Sequence, residues 1–140
     1  MSGPLALVYP VLAQVFWTFI IYIFLGVRRY QAIKGRKTRA RDIALSGDAW
    51  PDDERKVANN LRNQSESAVL FYVLCGVATY VGVTAFGITI LAWIYVATRV
   101  VHTAIHVTSN NLSLRALVFA VGLAVLVLMW VVIVLRLLAA

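Results

Sequence analysis

The stretch Ser67–Thr98 reads SAVLFYVLCGVATYVGVTAFGITILAWIYVAT, 32 residues without an Asp, Glu, Lys, Arg or His. Past Arg99 the run stays apolar to about Val107. As a single helix of roughly 41 residues, rising about 1.5 Å each, it would reach about 60 Å, twice the hydrocarbon thickness of a bilayer. It must turn once. Gly82-Val83-Thr84-Ala85-Phe86-Gly87 marks the place, because glycines allow backbone angles that other residues resist.

Working outward, Leu5–Val27 (23 residues) and Ala116–Leu135 (20 residues) also carry no charge, and each matches the ~20 residues of one crossing. Composition agrees. Of 140 residues, 61% are hydrophobic and 14% charged, with mean hydropathy +0.82; a soluble domain is nearer half apolar and a quarter charged. A disordered chain is excluded, and so is a disulfide scaffold, since Cys75 stands alone. The length holds a single domain, 1–140. The fold expected is all-α: an integral membrane four-helix bundle with helices at about 5–28, 56–82, 87–108 and 113–138 and a polar connection over about 29–55. Ser109-Asn110-Asn111 forms the last turn, and Ser113 is the expected cap of the fourth helix. Cys75 is expected to pack, and Gly76, Ala78 and Gly82 to form helix contacts.

The 13 Lys and Arg against 6 Asp and Glu are distributed unevenly. Arg28, Arg29, Lys34, Arg36, Lys37, Arg39, Arg41, Arg55, Lys56 and Arg62 lie in or beside the first connection; Arg99 and Arg115 flank the third; Arg136 alone is on the other face. That bias predicts a cytoplasmic 29–55 loop and both termini outside, with the first helix a retained anchor. A bacterial inner membrane is the expected location. The basic loop suits anionic headgroups. It lacks the interleaved aromatics that nucleic-acid sites need, so no nucleic acid is expected as a partner.

Polar residues inside these helices need an explanation, because each is costly in lipid. Asn59, Arg62, Asn63 and Glu66 follow i, i+3, i+4, i+7 on helix two; Arg99, His102 and His106 follow i, i+3, i+7 on helix three; Arg115 opens helix four. Each set shares one helical face. All eight fall near the same ends of their helices and can meet in one layer, within a subunit or between subunits. One carboxylate cannot neutralise three guanidiniums, so the layer suits an anion with several carboxylates and an ammonium for Glu66. The plainer possibility is that these residues pair with one another and lock the bundle. A metal held by His102, His106 and Glu66 is disfavoured by the adjacent arginines, and none is expected. No Gly-rich phosphate loop, CxxC pair or Ser-His-Asp set is present.

The pattern Arg62-Asn63-x-x-Glu66, then Arg99-x-x-His102-Thr103-x-x-His106, then Arg115 resembles the MAPEG family (membrane-associated proteins in eicosanoid and glutathione metabolism). It is closest to the family's microsomal glutathione transferase and prostaglandin E synthase branches. The likeness covers nearly the whole chain. It implies a homotrimer of four-helix subunits, glutathione as cosubstrate at subunit interfaces, and a helix-four arginine, here Arg115, that stabilises a thiolate. Asn63, Glu66, Arg99 and His102 correspond to family positions, and Arg28 or Arg29 to the basic residue closing helix one. The chain departs from the pattern at Asn59 (often arginine), His106 (commonly tyrosine), Ala116 (serine in the synthase branch) and Phe119 (tyrosine).

The function expected is therefore glutathione-dependent transfer to, or peroxidase action on, lipophilic electrophiles or lipid hydroperoxides. Arg115 holds the thiolate, and His106, with an unperturbed pKa of about 6.5, stands in for the tyrosine. Two rivals belong to other classes. A non-catalytic membrane protein could bind an anion or a partner at the same layer. A small anion transporter would need polar residues through to the far face, where Tyr80 and Thr84 are the main ones.

Overall fold

A computed structural model describes residues 3, 5–43 and 47–139. Four helices carry the fold: α1 (Val8–Lys34), α2 (Asp52–Tyr80), α3 (Phe86–Val107) and α4 (Leu112–Leu138), with a short 3-10 turn over Ala40–Ile43. α3 lies closest to α4, α1 packs mainly on α2, and α2 also meets α3 and α4.

The boundaries differ from those expected, for local reasons. α1 begins at Val8 and runs to Lys34, not 28, because Arg28, Arg29 and Gln31 are good helix formers. It stops where Arg36 adopts a left-handed φ of 53° and Lys37 N–H closes on the Ala32 carbonyl at 3.0 Å. α2 starts at Asp52, ahead of 56, because Asp52, Asp53 and Glu54 fill its first turn, where negative charge suits the helix dipole. It ends at Tyr80. Gly82, at φ 73°, lets Val83 N–H reach the Ala78 carbonyl at 2.7 Å. The polar connection thus shrinks from 29–55 to residues 35–51. The cap of α4 is Asn111, whose side chain accepts from Leu114 N–H at 3.1 Å, in place of the expected Ser113.

α1, α3 and α4 are long and apolar enough to cross a membrane. α2 is long enough but differs in composition: only Ser67–Tyr80, 14 residues, is free of charge, short of the ~20 a crossing needs. Four spans were expected; three of the four helices have the length and composition of a span on their own. Two amides in the polar half of α2, Asn60 and Gln64, find their partners inside the bundle. Gln64 Nε2 donates to the Arg99 carbonyl (2.9 Å) and Thr103 Oγ1 (2.8 Å), Asn60 Nδ2 to Thr103 Oγ1 (3.1 Å), and Gln14 Nε2 to Gln64 Oε1 (3.3 Å). This buried spine ties α1, α2 and α3 together and offsets the cost of amides removed from water.

Toward the other end the core is apolar. Phe71 stacks on Tyr95 with ring centres 4.5 Å apart, packed with Cys75, Ala92, Leu126 and Met129. Cys75 packs there as a free thiol. A Cβ at Gly76 or at Gly82 would meet nothing within 4 Å inside the subunit, whereas Ala78 is buried.

Candidate functional site

The eight polar residues do not line one pocket of the subunit. α2 divides them. Arg62 and Glu66 face a groove of about 560 Å³ between α1 and α2, with Tyr22, Gly26, Arg29 and Ser65. Asn63, on the next face of the helix, joins His102, Arg115, Ala116 and Phe119 in a groove of about 290 Å³ between α2 and α4. One turn earlier, Asn59 joins Lys56, His106, Asn110, Arg115 and the Asp52–Arg55 pair around about 300 Å³ beside the α3–α4 turn. Arg115 lines both of the latter grooves.

Arg99 lines none of the grooves described. It is 1% exposed, inside the bundle, and no carboxylate pairs with it among the described residues. Its Nη1 donates to Ser67 Oγ (3.3 Å), Nη2 to the Val118 carbonyl (3.5 Å) and Nε to Thr98 Oγ1 (3.4 Å). The guanidinium carbon lies 5.3 Å from the ring centres of both Tyr95 and Phe119, positions at which the aromatic faces attract a cation. Tyr95 donates to the same Ser67 oxygen at 2.9 Å. Gly122 leaves the space: a Cβ there would collide with Arg99 Nη2 and Thr98 Oγ1.

His102 and His106 stand 5.6 Å apart, ring edge toward ring face, both buried. His102 Nδ1, both ring nitrogens of His106 and Arg115 Nε have no hydrogen-bond partner. Arg115 Nη1 is engaged, donating to Asn110 Oδ1 at 2.6 Å. The ion pairs between described residues all lie at the connection between α1 and α2 or in the first turn of α2: Arg28–Asp53, Arg29–Glu54, Arg41–Asp42 and Arg55–Asp52. Arg62, Glu66, Arg99 and Arg115 take part in none of them. A buried polar atom without a partner is costly, so the atoms of His102, His106 and Arg115 are suited to a polar, anionic guest, whereas Arg62 and Glu66 are exposed on the subunit. Among the described residues no cluster of three or more His, Cys, Asp or Glu could hold a metal.

This arrangement of helices and buried polar residues has a counterpart among known families: the family model "MAPEG family" matches residues 7–135. The chain belongs to the MAPEG family. MAPEG proteins are a glutathione-related family of membrane enzymes, and with three membrane-length helices this member is an integral, multi-pass membrane protein. No curated protein and no solved structure matches it.

Sequence reading missed several residues that surround the candidate residues in this MAPEG protein. Ser67, Tyr95, Thr98 and Gly122 enclose Arg99, and Asn110 holds Arg115. Tyr95 was discoverable, four residues before Arg99 and hence on its face. Ser67 and Gly122 come from other helices and gave no such signal. Of the two candidate basic residues closing α1, Arg29 is bound to Glu54 at 2.8 Å and lies 5.3 Å from the Trp50 ring centre, while Arg28 pairs with Asp53 at 3.3 Å.

Proposed function

We propose that the protein is a membrane-bound, glutathione-dependent transferase or peroxidase acting on lipophilic electrophiles or lipid hydroperoxides. The observation that carries this reading is a set of guanidinium and imidazole groups without acidic partners, Arg115, Arg62, His102 and His106, facing grooves whose carboxylates are Glu66 and Asp52, the latter already paired with Arg55, in a chain of the MAPEG family. Glutathione matches that set: two carboxylates for the cations, one ammonium for Glu66, and a thiol whose ionised form a guanidinium favours. Asn59, Asn63 and the two histidines supply further polar contacts.

Arg62 with Glu66 and Arg115 with the histidines lie on opposite flanks of α2. One tripeptide reaches both sets when two subunits set the flank of one against the flank of the other, which supports a homotrimer with sites between subunits. Arg115 then holds the thiolate. Its sulfur attacks an electrophilic carbon that arrives from the bilayer, the new carbon–sulfur bond forming as the leaving group departs with its electron pair. With a hydroperoxide, the sulfur attacks the terminal oxygen, the O–O bond breaks, and the alkoxide leaves and takes up a proton to give the alcohol. A second glutathione reduces the resulting sulfenic acid to the disulfide and water. The basic connection faces the cytoplasm and both termini lie outside, in a bacterial inner membrane.

Glutathione should raise the stability of the detergent-solubilised protein by about 2.7 kcal/mol at a hundred times its dissociation constant. Arg115→Ala should abolish conjugation of an aromatic halide; a variant as active as the parent refutes the role. The lining of the α2–α4 groove, with Ala116 and Phe119 and no hydroxyl, favours one alternative, a non-catalytic protein that binds an anion at these residues. That protein would be stabilised by glutathione yet yield no conjugate.

A further inference from the structure

Asn110 occupies the turn between α3 and α4 at φ 51°, a left-handed conformation that favours glycine and that asparagine tolerates better than most residues. Its N–H closes the end of α3 on the Ile105 carbonyl at 2.8 Å. With the backbone held there, its side-chain oxygen accepts from Arg115 Nη1 at 2.6 Å. Its neighbour Asn111 does a different task, capping α4 through Leu114 N–H at 3.1 Å. Glycine would meet the backbone requirement of position 110 more easily; what asparagine adds is the amide oxygen. That oxygen is neutral. It restrains the guanidinium without cancelling its charge, whereas a carboxylate in its place would do both.

We infer that Asn110 is a positioning residue: it turns the Arg115 guanidinium toward the guest of the adjoining grooves and keeps its full charge available to a thiolate. The inference rests on the reading that Arg115 faces the sulfur of glutathione, and it adds the residue that sets how strongly Arg115 acts. Nη1 is committed to the amide and Nε is buried without a protein partner, which leaves Nη2 to meet the sulfur.

The test is a pH titration of the ultraviolet absorbance of the glutathione thiolate on the full-length protein, comparing the parent with Asn110→Gly, Asn110→Asp and Arg115→Ala. Glycine keeps the left-handed backbone, so Asn110→Gly should melt with the parent. Its thiolate midpoint should nevertheless rise by about 0.5–1 pH unit, a three- to tenfold loss of thiolate below the midpoint. Asn110→Asp retains the shape and the hydrogen bond but neutralises the guanidinium, so its midpoint should rise further; it also carries the test if the glycine variant unfolds. A parent-like midpoint in Asn110→Gly or Asn110→Asp, with thiolate lost in Arg115→Ala, overturns the role of Asn110 and leaves that of Arg115 standing. A parent-like midpoint in Arg115→Ala overturns both.

Discussion

Arg99 carries a buried charge with oxygens and rings as partners and no carboxylate. Three acceptors share its N–H groups, Tyr95 and Phe119 present their faces, and Gly122 clears the volume it occupies. Adding one methyl at Gly122 forces this packed group to move. Gly122→Ala should therefore lower stability by about 1–3 kcal/mol, read from the thermal midpoint in detergent; an unchanged midpoint would show that the cage gives way freely. Gln64 is equally exacting, because its amide serves Gln14, Thr103 and the Arg99 carbonyl at once. Gln64→Leu should cost about 1–3 kcal/mol through the partners it strands, measured by denaturant unfolding. The sequence spacing placed Arg99, His102 and His106 on one face. It did not reveal that this face turns inward, because helical periodicity says which residues share a side and nothing about what that side meets.

At the scale of the helices, ends and joints decide the arrangement. The tail of α1 is fastened to the start of α2 by Arg29 and the buried Glu54, with Trp50 beside the guanidinium. Arg29 is half exposed, so solvent screens much of the attraction, and Glu54→Ala should cost about 1–2 kcal/mol. The check is a thermal melt at low and high salt, where a strongly salt-dependent loss would point to a surface pair. At α4 the Asn111 cap should be worth about 1 kcal/mol on substitution by alanine, again as a fall in midpoint. The helices themselves were legible from charge-free runs. Their ends were not, because Arg28, Arg29 and Gln31 are as compatible with helix as with a polar loop, and the choice rests with turns further along at Arg36 and Gly82.

At the scale of the molecule, the placement of the candidate residues on two flanks of α2 makes a test of shared sites possible. Glu66→Ala and Arg115→Ala subunits should each be inactive alone. Co-expressed, they should recover conjugation, because some interfaces then pair an intact Glu66 with an intact Arg115 from the other chain; absence of recovery would mean that each subunit builds its own site. Membrane residence, the helix count and family membership were all readable from the chain, since they rest on runs of apolar residues and on polar spacings that survive without coordinates. The polar half of α2 shows where that reading stops. Its amides look like candidates for a ligand, yet Asn60 and Gln64 are consumed by Thr103 and Arg99, while Asn59 and Asn63, each one place before them, face grooves.

The sequence by itself determined that this chain enters a membrane as a helical bundle and carries more guanidinium than carboxylate into it, because hydrophobic length and charge are additive along a chain. Tertiary structure alone decided which of those cations is spent inside the subunit and which faces a groove. That choice turns on residues distant in sequence, such as Ser67 and Gly122 around Arg99, and only packing brings them within reach.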